Sequence, residues 1–217
     1  MDAQFWHDRW KKNEIGFHQS EPNPLLVKYV DELSLTKGSR VFLPLCGKTL
    51  DIGWLLSRDY RVAGAELSAL AVEQLFAKLG VTPTITKVDT LDHYRAPQLD
   101  IFVGDIFKVT PELLGPVDAV YDRAALVALP PSMRNRYSAH LTTLTANAPQ
   151  LLISFEYDQQ VMEGPPFSVD NEEIRRHYGE QYDITLLTSL DVPGGLKGRC
   201  PATESVYLLK KKSRGGS

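Results

Sequence analysis

The stretch Arg40-Val41-Phe42-Leu43-Pro44-Leu45-Cys46-Gly47-Lys48, followed by Val62-Ala63-Gly64-Ala65-Glu66, decides how this chain is built. The first run is short and apolar after the turn Lys37-Gly38-Ser39, as expected for a strand buried on both faces. Residues 49–58 read as a helix, and Ser68 is placed to cap a second helix that reaches Gly80. A strand-helix-strand-helix start predicts a mostly parallel sheet covered by helices on both faces.

In such a sheet, ligands bind beyond the carboxyl ends of the strands where the strand order reverses. Those ends are the loop Leu45 to Lys48 and Glu66, the acid lying 21 residues past Leu45. A carboxylate at that distance can accept hydrogen bonds from both ribose hydroxyls of a nucleoside lying over the loop. Equally open is a surface glutamate that starts the next helix, where the macrodipole favours negative charge. The loop itself discriminates among nucleotides. A dinucleotide fingerprint needs three glycines to let the backbone approach a pyrophosphate, whereas here Gly47 alone is followed by Lys48-Thr49-Leu50. A phosphate-binding P-loop needs a glycine five residues before Gly47, and Phe42 stands there. What remains is a ligand with ribose and adenine but no phosphate, of which S-adenosylmethionine is the commonest.

Working outward, residues 84–88 and 99–103 are strand candidates separated by the polar, proline-bearing stretch 89–97, and their pairing is open. Residues 117–121 and 150–155 are further strands, with a helix between them that Pro131 opens and that runs to about Thr145. The chain then changes character. A short helix at 171–178 is followed by strands at 184–190 and 204–209 with no helix between them, so these two should pair antiparallel. At the later strand ends, Asp105 can meet an adenine edge and Ile106 its face, although an aspartate that merely begins a turn fits as well. Arg123 stands where the carboxylate of a methionine moiety or an anionic substrate would lie, or where it could simply pair with Asp122 or Glu66. Towards the N-terminus, Phe5, Trp6 and Trp10 fall at helical spacing, Gly16 breaks the pattern, and residues 25–33 resume it.

Composition narrows the function classes. With 217 residues, 43% hydrophobic and 24% charged, the chain suits one domain, and it has no run of 18 apolar residues. The start lacks the pattern of a secretory signal, so a cytoplasmic location is expected. Two cysteines, Cys46 and Cys200, suggest neither disulfides nor zinc, and His7, His18, His93, His140 and His177 show no ligand spacing, so no metal is assigned. A net charge of -3 gives no footprint for nucleic acid; the basic end, Lys210, Lys211, Lys212 and Arg214, reads as a disordered tail over 210–217.

In order along the chain, Phe5-Trp6-His7 with Trp10, Ile15-Gly16-Phe17-His18, Val41 to Lys48, Gly64 to Leu67 and Tyr121-Asp122-Arg123-Ala124-Ala125-Leu126 resemble the thiopurine S-methyltransferase family, in its compact bacterial branch. The resemblance runs from residue 2 to about 209. It implies a class I, Rossmann-like methyltransferase: a mostly parallel seven-stranded sheet with an antiparallel C-terminal hairpin. Residues 1–36 would form a helical cover and 37–209 the core. It further implies S-adenosylmethionine as cofactor, S-adenosylhomocysteine as product, and a small aromatic thiol as substrate, with selenium or tellurium compounds as further acceptors in detoxification. By the same resemblance Trp10, Leu45, Glu66, Asp105, Ile106 and Arg123 contact the cofactor, and Phe17 and Arg199 the substrate. A monomer is expected, with no partner in nucleic acid or membrane.

The reaction would be in-line attack of sulfur on a sulfonium methyl. No catalytic side chain is certain; Arg123 is the candidate, stabilising the anion, while Trp10 and Phe17 enclose sulfur and methyl. Heterocyclic thiols ionise readily, so a dedicated base is not demanded. An NAD-dependent oxidoreductase and a noncatalytic adenosine-binding module are the rival readings; the missing glycines oppose the first, and an absence of methyl transfer would favour the second.

Overall fold

A computed structural model describes residues 3–16 and 18–213. In chain order the elements are α1 (Ala3–Lys11), α2 (Pro24–Tyr29), β1 (Arg40–Leu43), α3 (Asp51–Ser57), β2 (Arg61–Glu66), α4 (Ala69–Leu79), β3 (Thr84–Val88), β4 (Leu91–Ala96), β5 (Leu99–Val103), α5 (Pro111–Leu114), β6 (Ala119–Arg123), α6 (Pro131–Leu144), β7 (Gln150–Tyr157), α7 (Asn171–Tyr178), β8 (Tyr182–Asp191) and β9 (Ala202–Lys211). One sheet runs β3-β4-β5-β2-β1-β6-β7-β9-β8. Strands β5, β2, β1, β6 and β7 are mutually parallel, while β7-β9, β9-β8, β5-β4 and β4-β3 pair antiparallel.

Local chemistry sets the boundaries. Strand β1 stops at Leu43 because Pro44 has no N–H to offer the ladder. Ser68 caps α4 by accepting from the Ala71 amide, and Gly80 ends it in the left-handed region at φ 68°. On one face of the sheet Val41, Leu43, Val62 and Ile101 pack against Leu25 and Leu26 of α2 and Ile52 and Leu55 of α3. On the other, Phe42, Phe102, Val120 and Leu152 pack against Tyr137 and Leu141 of α6 and Ile174 and Tyr178 of α7.

Three expectations change. The fold class stands, but the sheet has nine strands: β5-β2-β1-β6-β7-β9-β8 forms the seven-stranded arrangement, and the β3-β4 hairpin extends its edge. Strand β4 lies in the polar stretch 89–97 and was illegible because only Leu91 and Tyr94 are buried, a pattern suited to a strand near an edge. Lys210 to Lys212 are not tail, since Lys210 and Lys211 pair with Asp183 and Tyr182 and the Lys212 amide donates to Gln181 O; residues 214–217 of the expected tail lie outside the described residues. A long antiparallel partner carries the ladder past the last apolar residue. Finally, only part of the 1–36 segment is a cover: α2 and the following turn bury Leu25, Leu26, Val30 and Leu33 in the main core.

Candidate functional site

The loop after β1 turns through two left-handed residues, Leu45 at φ 47° and Gly47 at φ 53°. Glycine takes that region freely; leucine is strained there, and such strain gathers at ligand-binding loops. The Cys46 amide donates to Ala65 O at 3.0 Å, tying the loop to β2. Gly64 lets them approach: a Cβ there would stand 2.7 Å from Ile101 Cδ1 and 2.9 Å from Cys46 Sγ. Burial and the Glu66 charge push the Cys46 thiol up, so it stays neutral and is no nucleophile.

Glu66 ends β2 and is buried, so the surface-glutamate reading is excluded. Its Oε2 accepts from the Gly47 amide at 2.8 Å and its Oε1 from the Ser68 amide at 2.8 Å. Burial raises its pKa, and the amides of Ser68, Gly47 and Leu67 pull it back. A carboxylate has about four acceptor directions, so beside these three amides one stays open to a ribose hydroxyl. Trp10 is buried, and its ring edge lies 3.0 Å from where a Gly47 Cβ would stand. Helix α1 therefore closes over the glycine of the loop, and Lys48, donating to Gln74 Oε1 at 2.7 Å, holds its ammonium 5.8 Å from the Trp10 ring.

Asp105 follows β5, is exposed, and accepts from the Phe107 amide at 3.0 Å; Ile106 beside it is buried. Arg123 ends β6, half-buried. Neither pairing weighed for it occurs, because Glu66 is held by backbone amides and Asp122 points to the opposite face of the sheet. There Asp122 accepts from the Leu126 amide at 3.1 Å and the Tyr137 hydroxyl at 2.7 Å. The charge of Arg123 reaches His18 and Glu204 instead: burial lowers the His18 pKa, with Lys48 and then Arg123 adding to it, and Arg123 opposes the rise that burial gives Glu204. Among the described residues neither Arg123 nor Glu204 makes an ion pair within 4 Å. Arg199 is exposed in the loop between β8 and β9, lining an open groove of about 850 Å³ with Asp158 and Asp191. That loop reaches towards α1, since the charges of Arg9 and Arg199 help burial to lower the Lys197 pKa. Phe17 lies outside the described residues.

Sequence reasoning missed two groups here. Asp51, buried at the start of α3, accepts from the Asn23 amide at 2.7 Å and from the Tyr121 hydroxyl at 3.1 Å, joining the segment before α2 to the end of β6. No motif spacing marks it. Glu204 is the second, hidden because it opens what reads as an ordinary edge hairpin.

Asp122 gives a pH-dependent expectation. Burial raises its pKa to about 6, against the hydrogen bonds from Tyr137 and from the Leu126 and Ala125 amides. A carboxyl with a raised folded pKa adds stability below its unfolded value, near 4, and that stability is lost as pH rises towards 6. Asp122→Asn keeps an acceptor for Leu126 and cannot ionise. Urea unfolding of both proteins between pH 4 and 7 should therefore show the variant gaining on wild type as pH rises; a difference independent of pH would place the Asp122 ionisation elsewhere.

A family model for thiopurine S-methyltransferase matches residues 1–212. The chain belongs to the thiopurine S-methyltransferase family. It is 57% identical over 212 residues to the thiopurine S-methyltransferase of Xanthobacter autotrophicus, covering 97% of this chain and all of that protein. It is 51% identical over 217 residues to that of Acinetobacter baylyi, covering 98% and 100%. Among solved structures, a Burkholderia thailandensis 1,6-didemethyltoxoflavin N1-methyltransferase with bound S-adenosylhomocysteine superposes at TM-score 0.63 and 15% identity, covering 96% of this chain and 87% of that one. At that identity the likeness shows the fold, which is that of S-adenosylmethionine-dependent methyltransferases. At the ends of the central strands the chain brings together Gly47 packed under the Trp10 ring, a buried carboxylate at the end of β2, and a cation at the end of β6, groups whose chemistry fits S-adenosylmethionine.

Proposed function

We propose that this chain is a thiopurine S-methyltransferase acting on the sulfur of small aromatic or heterocyclic thiols, with Glu66, Leu45, Trp10, Asp105, Ile106 and Arg123 holding S-adenosylmethionine. The observation that carries the site is the closure of Trp10 onto Gly47 directly beside the Glu66 carboxylate, with no glycine-rich room for a pyrophosphate. When bound, S-adenosylmethionine supplies a methyl group on a sulfonium centre. Glu66 would accept from a ribose hydroxyl. Asp105 and Ile106 would bound the adenine by edge and face, and Trp10 would exclude water from the loop. Arg123 would face the incoming sulfur, where a thiolate needs a counter-charge in a water-poor enclosure. Phe17 and Arg199 would shape the substrate side, and the enzyme would work as a cytoplasmic monomer. Among the described residues no helix is long and apolar enough to cross a membrane. Selenium and tellurium nucleophiles, softer than sulfur, would suit the same in-line geometry.

Two measurements bear on this. A panel of thiols assayed by mass detection of the methylated product should favour aromatic and heteroaromatic acceptors; equal or better turnover of alkyl thiols would overturn the acceptor class. Hydrogen exchange should show the segment around Trp10 gaining protection with S-adenosylhomocysteine, because a terminal element held largely by ligand opens readily without it. Equal protection in both states would make Trp10 a plain packing residue.

A further inference from the structure

Heterocyclic thiols pose a problem that simple aryl thiols do not. Their neutral form is largely the thione, with the proton on a ring nitrogen next to the C=S carbon, so the sulfur becomes a strong nucleophile only when that N–H is released. Arg123 can stabilise the resulting anion but cannot take a proton, since a guanidinium has no acceptor. Asp122 is closed off, with both oxygens engaged on the far face of the sheet. Burial makes His18 a weaker base, and the charges of Lys48, Arg123 and Lys78 add to that against the opposing charge of Asp51.

Asp51 is engaged as well, by the Asn23 amide and the Tyr121 hydroxyl, which leaves Glu204, among the described residues, as the acid on this face that Arg123 acts on and no hydrogen bond engages. The strand register places it there: Arg123 lies beside Ile153, Ile153 beside Val206, and Glu204 is two residues before Val206, opposite Phe155. Residues two apart on a strand share a face, so Glu204, with Val206, and Arg123, with Tyr121, look to the side covered by α2 and α3. Its other neighbour, Leu190 on β8, brings no charge. The charged or titratable groups that face it are Arg123 and Tyr121, and the Tyr121 hydroxyl is already committed to Asp51. Glu204 is half-buried, and no hydrogen bond engages its carboxylate among the described residues. A half-buried acid and a half-buried arginine share a face, and the charge of Arg123 acts on Glu204, yet the two stand more than ion-pair distance apart. Strand β7 stands between them, so a ligand seated over its end can meet both the cation and the proton acceptor.

We propose that Glu204 is a catalytic base for thione substrates: it takes the ring N–H proton while the sulfur faces Arg123. The step balances without a further reactant. The N–H bond breaks towards a Glu204 oxygen, its electron pair passes through the ring carbon to sulfur, the S–CH3 bond forms as the methyl leaves the sulfonium, and the proton returns to solvent from Glu204 after product release. Burial raises the Glu204 pKa and Arg123 restrains the rise, which brings the carboxylate nearer to working pH. The sign is fixed by this role, since only ionised Glu204 can accept, and turnover of a thione should fall as pH drops through that pKa.

This inference rests on the reading of the chain as an S-methyltransferase, and the test separates the two. Wild type and Glu204→Gln are compared on purine-6-thione and on a thiophenol acidic enough to be fully ionised at the assay pH. General-base loss should lower kcat/KM for the thione by about 100-fold and for the ionised thiol by less than about 3-fold. Equal losses on both substrates, or none on either, would overturn the role. A readout independent of turnover is the near-ultraviolet spectrum of the thione bound to enzyme with S-adenosylhomocysteine. The wild-type complex should show the anion at a pH where the variant complex shows the neutral thione, and neutral thione in both would also overturn it. Should the variant fold poorly, wild type alone decides: its acid limb should be present with the thione and absent with the ionised thiol. If wild type methylates neither compound, the reading of the reaction fails, not the assignment of Glu204 alone.

Discussion

Arg123→Ala is expected to lower kcat/KM for an ionised heteroaryl thiol by about 100- to 1,000-fold, the usual cost of removing one preorganised donor from a site of changing charge. Arg123 sits at the end of β6 with no partner within ion-pair distance among the described residues, and in the proposed reading its charge meets the substrate anion. Its removal also relieves His18 of one neighbouring cation, so the His18 pKa should move back up towards its ordinary value. Arg123→Lys should recover only part of the loss, because a point charge on a flexible stem does not reproduce a planar, two-pronged donor. Steady-state kinetics with both variants check this; full activity in Arg123→Ala would remove the residue from the site.

Glu66→Gln is expected to weaken S-adenosylhomocysteine binding by about 1.5–3 kcal/mol, the range for hydrogen bonds to a charged group. From sequence alone little change in stability would be expected, but the structure adds one. Both carboxylate oxygens accept backbone N–H groups, from Gly47 and Ser68, and glutamine must turn its amide donor towards one of them. An unsatisfied buried donor costs about 1–3 kcal/mol, so the melting temperature should fall together with affinity. Calorimetric titration and thermal unfolding of the same variant check both, and unchanged affinity would release Glu66 from the ribose role.

The parts of this molecule that sequence reveals are those where one local cause suffices. The apolar run at 40–43 makes a strand buried on both faces, Ser68 and Gly80 bracket α4, and Pro131 starts α6. Strand β4 escapes because an edge hairpin needs few buried residues, and Leu91 and Tyr94 alone give no clear alternation. Lys210 and Lys211 read as tail because nothing in their own side chains shows that β8 waits to pair with them. The same limit applies to the site. Glu66 can be found from its distance to the first loop, and Arg123 from its place after a strand. The place of Asp51 depends on a hydrogen bond to Tyr121 of β6, and that of Glu204 on the pairing of β9 with β7, neither of which any spacing encodes. The candidate site is thus legible where one strand end defines it and opaque where separate strand ends meet.

The most direct test of the reaction at this site is to incubate the protein with S-adenosylmethionine carrying an isotopically labelled methyl group and a heteroaryl thiol, then locate the label. The expected result is label on sulfur, as the S-methyl thioether, formed in equal amount with S-adenosylhomocysteine and strongly reduced by Arg123→Ala. Label on a ring nitrogen, or cofactor bound with no label on the thiol, would contradict it.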